Sequence, residues 1–359
     1  MMQANYDYVK GRWLAYWNRE NHDRPIMSIH APLGKNTLPD FTVPENISDR
    51  WLDAEFAVKN ARYAIENTYY AGEALPVYSP NLGPDLIGAV CGCDIKFGES
   101  TSWAVHNVEN WDAFPEIKLD ENNVWWKKIK ELTQAAAADA KGDYLVGITD
   151  LHPGPDGLVS LRGPENLCID LVENPEALAK RTGEMFNVYK KMYTGLDEII
   201  SPYQEGTVNW MGIWHPEAKW YVLSCDFSCL ISRDDFNGLV VPGLLNEMEF
   251  LENNMYHLDG PDALHHVDSL LALEKLNGIQ WVYGAGQPSA RHWLPLLKKI
   301  QNAGKCIQVY CEPEDLEEVC EALNPEGLNL VAYVADKQTA DDMIKTAEKI
   351  YTQKRQGKA

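Results

Sequence analysis

From residue 254 onward, short apolar runs recur at intervals of about 25 residues, each followed by a stretch with helical spacing of its apolar positions. The runs are 254–258 (Asn-Met-Tyr-His-Leu), 278–283 (Gly-Ile-Gln-Trp-Val-Tyr), 306–310 (Cys-Ile-Gln-Val-Tyr) and 328–334 (Leu-Asn-Leu-Val-Ala-Tyr-Val). Helices are expected at Pro261–Leu276, His292–Ala303, Glu314–Leu323 and Thr339–Tyr351. Strand alternating with helix predicts a parallel sheet covered by helices, because a parallel connection needs a crossover long enough to hold a helix.

The same alternation extends upstream. Strands are expected at Pro25–His30, at Leu75–Tyr78 (weakened by Pro76), at 144–149, at 207–213 and at 221–225. Helices are expected at Ser48–Tyr70, Val124–Ala140, Pro175–Ile200 and Asp234–Glu252. That makes nine strands, one more than a (β/α)8 barrel holds. The reading adopted is one closed TIM barrel over residues 1–359, with 207–213 and 221–225 as two parts of an irregular corner carrying the insertion Trp214–Trp220. No Gly-, Ser- or Pro-rich linker interrupts the chain to mark a second domain.

Composition narrows the partners. With 45% hydrophobic residues, 359 positions are ample for a large core. The formal net charge is −21, and the basic residues gather only at the end, at Lys354, Arg355 and Lys358. No stripe is present that would neutralise phosphates, so nucleic acid and anionic membranes are poor partners. No apolar run approaches membrane-spanning length, and Met1–Tyr6 lacks the pattern of a signal peptide. The eight cysteines lie mostly in apolar surroundings, which suits reduced thiols and a cytoplasmic location. Cys91/Cys93 and Cys225/Cys229 lack a second pair at structural-zinc spacing.

In such barrels the site forms at the C-terminal ends of the strands. Polar residues fall there repeatedly: His30, Asp150 and His152, His215 and Asp226, His257 and Asp259, Gln287, and Cys311 with Glu312. A single histidine after a strand is more often a hydrogen-bonded structural residue than a catalyst, so the weight rests on the recurrence. His257 and Asp259, two apart on one strand end, can face the same mouth and act as metal ligands or as an acid/base pair. Two ligands alone are a weak metal motif. Among the twelve tryptophans, most belong in a core, but Trp214 and Trp281 sit at or within strand ends and are candidates to line a ligand pocket.

The order of segments resembles the uroporphyrinogen-decarboxylase-like superfamily from about Arg24 to Lys349. Arg24-Pro25-Ile26 is similar to its opening strand, and Asn81-Leu82-Gly83-Pro84-Asp85 to the loop that supplies an aspartate, here Asp85, to its site. Leu161–Leu167 followed by Asp170–Glu176 resembles its helix pair after the third strand. Asp226-Phe227-Ser228, Ile231–Phe236 and Val241-Pro242 resemble the stretch in which an acidic strand end leads into a helix. The decarboxylases' arginine loop is missing: the position reads Ile29-His30-Ala31-Pro32-Leu33-Gly34-Lys35, so decarboxylation of a polyanionic tetrapyrrole is not expected.

The resemblance then points to the branch that moves methyl groups to or from corrinoids. That branch holds zinc with a His-x-Cys-Gly strand end and a later cysteine. This chain reads His257-Leu258-Asp259-Gly260, with Ala335-Asp336 in the distal region. A harder donor set suits a metal or proton donor acting on oxygen or nitrogen. The expectation is therefore an enzyme that moves a methyl group from a small O- or N-methylated substrate to a corrinoid (cobalamin) held by a partner protein. The catalytic candidates are His257, Asp226 and Asp259, with His257 and Asp259 as ligands of a zinc or other divalent metal. Substrate-binding candidates are His30, Asp85, His152, Trp214, His215, Trp281 and Gln287. A homodimer is compatible with this reading. The alternative is a lyase or hydrolase of a sugar-like or aromatic substrate without corrinoid, and a third class is a non-catalytic binding barrel.

Overall fold

A computed structural model describes residues 6–35 and 38–357; Met1–Asn5 and Lys358, which the sequence reading used, lie outside it. Thirteen strands occur among the described residues: β1 (Ile26–Pro32), β2 (Thr68–Gly72), β3 (Val77–Tyr78), β4 (Asp94–Phe97), β5 (Ser102–Val105), β6 (Leu145–Val146), β7 (Thr207–Val208), β8 (Trp214–His215), β9 (Trp220–Ser224), β10 (Asn253–Asp259), β11 (Gly278–Val282), β12 (Cys306–Tyr310) and β13 (Leu328–Tyr333). Seven form one sheet in the order β2-β1-β13-β12-β11-β10-β9. From β1 to β9 every neighbouring pair is parallel, and only β2 joins antiparallel.

The fold is thus α/β with a parallel sheet at its centre, and the expected ring of eight is met only in part. β3 and β6 pair parallel with each other, and Ile148 makes a parallel bridge to Asn209, but these join neither end of the large sheet by a ladder. The corner at 207–224 is irregular as expected: β7 folds back antiparallel on β8, while β9 carries the parallel pairing to β10. All five residues of β9 are buried, as a strand covered on both faces requires.

Local chemistry explains where elements differ from the periodicity. The helix expected at Ser48–Tyr70 is two, Ile47–Leu52 and Ala54–Glu66, because Asp53 between them turns its carboxylate onto the amides of Glu55 and Phe56 and starts a new helix. The remaining positions to Gly72 become β2. Gly72 has φ +66°, and a Cβ there would stand 2.3 Å from the Met27 carbonyl oxygen, so β2 can close onto β1 only with glycine at this place. In the stretch expected as one helix from Asp234, wider turns span Phe236–Val240 before the regular helix Val241–Phe250, with Pro242 in its first turn where no amide is needed. Asn123 caps Val124–Ala140 and Asp336 caps Lys337–Arg355.

The helix Tyr6–Asn18 was not expected from the pattern, since its apolar positions are mostly aromatic and its polar ones interleave. It packs beneath the sheet, and a buried ion cluster fastens it. Glu73, fully buried, accepts from Arg12 Nε (3.1 Å), from both terminal nitrogens of Arg24 (2.8 Å each) and from the Met27 amide (3.0 Å). Arg12 also donates to the Arg24 carbonyl and pairs with Asp23. Among the described residues, no helix is long and apolar enough to cross a membrane, and the eight cysteines are free.

Candidate functional site

Because β1 and β9 to β13 run parallel, their C-terminal ends share one edge, and inward polar side chains cross the sheet in register toward it. Ser224 stands opposite His257, His257 opposite Gln280, Gln280 opposite Gln308 and Gln308 opposite Asn329. The side chains of His257, Gln280 and Gln308 are linked. Gln308 Nε2 donates to the Met211 carbonyl (3.2 Å), Gln280 Nε2 donates to Gln308 Oε1 (2.6 Å), and Gln280 Oε1 lies 2.5 Å from His257 Nδ1. The direction of this chain follows from its end. A backbone carbonyl only accepts, so Gln308 must present its amide NH2 there and its oxygen to Gln280. Gln280 then offers its own oxygen to His257, which must carry its proton on Nδ1. In the neutral ring, Nε2 is left with a free lone pair.

His257 and Asp259 lie at the end of β10, and Asp226 begins the short turn after β9. Ligand atoms of Asp226, His257 and Asp259 all fall within 4.8 Å of one another. Burial and the neighbouring Asp156 charge push the Asp226 carboxyl up to about 6, against the pull of His152 and His257. Its side chain keeps an exposed face at the rim, so the enclosure is one-sided. Such crowding of negative charge is what a bound cation relieves.

A second group, His152, Asp156 and Asp226, is equally compact but already occupied. His152 contacts Asp150 Oδ1 at 2.6 Å through Nε2, as an ion pair rather than an aligned hydrogen bond, and lies 2.5 Å from Ser224 Oγ through Nδ1. Burial opposes its charge, but Asp150, Asp156 and Asp226 outweigh it and raise its pKa well above the ordinary value. Asp156 accepts the amides of Asp226 and Phe227, both at 2.9 Å, which fixes the turn that carries Asp226. Both ring nitrogens of His152 and both oxygens of Asp156 are thereby engaged, so this group positions and the other is open to a metal. Behind it, Glu247 is buried and its carboxyl is raised well above the usual range by burial and by Asp156.

The remaining candidates scatter. His30, near the end of β1, lines a cavity on the same edge, beside Trp210, whose ring meets that of His257 edge-on at 5.2 Å. Asp85 accepts from Ser160 Oγ (2.5 Å) and the Ala104 amide (3.0 Å), tying a loop to a helix and to β5 with both oxygens. Trp214 is fully buried, with its indole nitrogen donating to the Glu205 carbonyl and its ring against Tyr6. His215 is buried beside Trp17, its Nδ1 accepting the amides of Glu217 and Ala218. Both therefore pack against the Tyr6–Asn18 helix. Trp281 alternates with Gln280, which turns it away from His257 and onto Trp293. Gln287 is exposed in the loop after β11. Neither Cys91/Cys93 nor Cys225/Cys229 joins a potential metal group among the described residues.

Ser224, Gln280, Gln308, Asn329 and Trp210 lie inside the expected strands rather than just after them, and Asp156 lies further along its loop, so position at a strand end does not single them out. The available signal was a polar side chain inside an apolar run, repeated in consecutive units at Gln280, Gln308 and Asn329.

His215 supplies a test of the packing. Burial lowers its pKa to about 4, with Glu252 opposing, while an unfolded histidine titrates near 6.5. The unfolded chain then binds the extra proton between those values, so this residue's contribution is complete above about pH 6.5 and is lost as pH falls toward 4. Relative to His215→Asn, which keeps an acceptor for the two amides, the native chain should lose up to about 1.4 kcal/mol more per pH unit in that window. Urea melts at a series of pH values measure this; parallel pH slopes for the two proteins would contradict it.

No family model matches the chain, and no curated protein sequence does. In structure, the chain is similar to a methyltransferase from Methanosarcina mazei, with a TM-score of 0.62 and 11% identity over 96% of this chain and 99% of that one. At this identity the likeness is one of fold. PbGH5A, a glycoside hydrolase family 5 enzyme from Prevotella bryantii, aligns over 93% and 97% of the two chains at a TM-score of 0.35 and 9% identity, too low to carry an argument.

Proposed function

We propose that this chain is an enzyme that moves a methyl group from a small O- or N-methylated compound to a corrinoid carried by a separate protein, on an eight-stranded barrel completed by β3 and β6 beside β1 and β9. The observation that carries the reading is the open donor set of Asp226, His257 and Asp259 at the strand ends, beside a cavity of substrate size. The fold likeness to a methyltransferase along nearly the whole chain agrees with it.

The donor set fits a divalent cation with one nitrogen and two carboxylate oxygens, and it fits a thiolate-bound zinc poorly, since no cysteine joins the group among the described residues. When bound, such a cation supplies Lewis-acid stabilisation to a leaving oxygen or nitrogen. What the chain itself does is hold His257 in one tautomer through Gln280 and Gln308, and hold the Asp226 turn through Asp156. Cobalt(I) is a strong nucleophile on its own, so the protein's task is to bring the methyl carbon into line with it and keep water from the leaving group.

The test mixes purified protein with cobalt(I) corrinoid and a panel of methoxylated aromatics, methylamines, betaines and methylated sugars, and follows the absorbance change to the methylated form. Turnover that needs His257 and Asp226 is expected. A specific observation favours one other reading: the closeness of the Asp226 and Asp259 carboxylates, an arrangement also suited to acid/base lyase or hydrolase chemistry. No methylation across the panel with the corrinoid protein supplied, together with cleavage of an unmethylated substrate, would transfer the assignment there.

Gln280→Leu probes the relay. Without its oxygen the His257 tautomer is no longer selected, and metal affinity should fall about 10- to 100-fold, with Gln280→Glu retaining more of it. Equal affinities in native protein and Gln280→Leu would show that the relay does not orient His257.

A further inference from the structure

The cavity that holds His30 measures about 570 Å³. It is walled by five rings, those of His30, Tyr70, Trp210, Tyr310 and Tyr333, and none of its lining residues is Lys, Arg, Asp or Glu. In a chain of net charge −21 with a carboxylate cluster behind Trp210, an uncharged chamber is a selective feature. The rings are organised: His30 stacks on Tyr333 at 5.0 Å and 19°, and Tyr70 meets His30 edge-on at 5.5 Å. The His30 side chain makes no hydrogen bond among the described residues, and burial lowers its pKa to about 4, so it is a neutral imidazole with a donor and an acceptor to offer. Ser79 Oγ, also in the lining, is buried without a partner.

We infer that this cavity binds a neutral aromatic ring bearing an ether or phenol oxygen, and, resting on the methyl-transfer reading above, that the methyl donor is an uncharged aryl methyl ether. Ring walls recognise a planar π-system by offset and edge contacts. The volume lies within the range for ring-bearing ligands, and it greatly exceeds what a methylamine fills. A quaternary ammonium would find stronger attraction in the adjacent carboxylates, and a carboxylated ring would enter without a cationic partner at a high desolvation cost. The unpartnered Ser79 hydroxyl and the neutral His30 are groups an ether or phenol oxygen can satisfy. Trp210 is the wall shared with His257, which puts the ring next to the proposed metal ligands. In the transfer, the O–CH3 bond breaks and its electron pair stays on the phenolic oxygen, which takes a proton from water. The methyl carbon passes to the corrinoid cobalt(I), which supplies the bonding pair and becomes trivalent.

Calorimetric titration with 2-methoxyphenol, 4-hydroxy-3-methoxybenzoate and glycine betaine tests this without requiring turnover. Expected are binding of 2-methoxyphenol at least tenfold tighter than of the other two, and a loss of tenfold or more in Tyr333→Leu and in Tyr70→Leu with metal content unchanged. Tyr333 is largely exposed, so its substitution leaves the fold intact. Tighter binding of betaine or of the benzoate, or binding of 2-methoxyphenol indifferent to both substitutions, overturns the inference. The two readings fail separately. Ring binding without any methyl transfer removes the function proposed above and leaves the aromatic site, whereas transfer from a ringless donor with no ring binding does the reverse.

Discussion

Replacing His257 by alanine is expected to lower divalent metal affinity by about 100-fold and to abolish methyl transfer while the protein stays folded. The imidazole is the one nitrogen ligand in the open set, and its free Nε2 is prepared by the chain of amides that ends at the Met211 carbonyl. Removing it leaves two carboxylates and an unpaired Gln280 oxygen, which costs about 1–3 kcal/mol of stability but no packing of the sheet. Cobalt(II) substituted into the native protein gives a visible spectrum that reports its ligands. That spectrum should lose its imidazole character in His257→Ala. Elemental analysis of protein purified without chelator is the simpler form of the measurement. A metal content unchanged by the substitution would refute the assignment and leave the architecture standing.

The largest stability effect is expected at Glu73, far from the chemistry. Glu73→Ala should destabilise the protein by about 3–5 kcal/mol, because Arg12 and Arg24 would keep their buried guanidinium groups without the carboxylate that answers both. Four hydrogen bonds end on its two oxygens, and they join the Tyr6–Asn18 helix to β1 and to the turn after β2. Glu73→Gln should recover only part of the loss, since an amide keeps one acceptor and restores no charge. Denaturant unfolding measures both. A change below about 1 kcal/mol in Glu73→Ala would mean that Asp23 and the backbone carbonyls suffice to hold the two arginines.

Both effects were unequally visible in the sequence. His257 and Asp259 stood out because a strand end has period two, so residues two apart must share a face. Asp226 was accessible for a similar reason, through the acidic end of an apolar run. Glu73 carried no signal, since a glutamate between Gly72 and Ala74 reads as an exposed turn until two arginines from other elements are seen to converge on it. Trp214 and His215 misled in the opposite way. Their aromatic and polar character suits a pocket, yet the hairpin of β7 and β8 carries them to the packing of the first helix.

By itself the sequence determined the alternation of strand and helix, the parallel sheet that alternation requires and the polar character of the strand ends, because these depend on local periodicity and on the length of a crossover. Only the tertiary structure decided which polar groups meet. Ser224, His257, Gln280, Gln308 and Asn329 come from five strands, and their contact depends on register between segments dozens of residues apart. The direction of the amide chain, and with it the free nitrogen of His257, rests on one backbone carbonyl at Met211 that nothing local distinguishes. The same holds for charge. His152 and Asp226 depart from their ordinary pKa values in the same direction, one because carboxylates surround it and the other because burial and a like charge do. Those surroundings exist only after the strands have been brought side by side, since electrostatic interactions act through space and not along the chain.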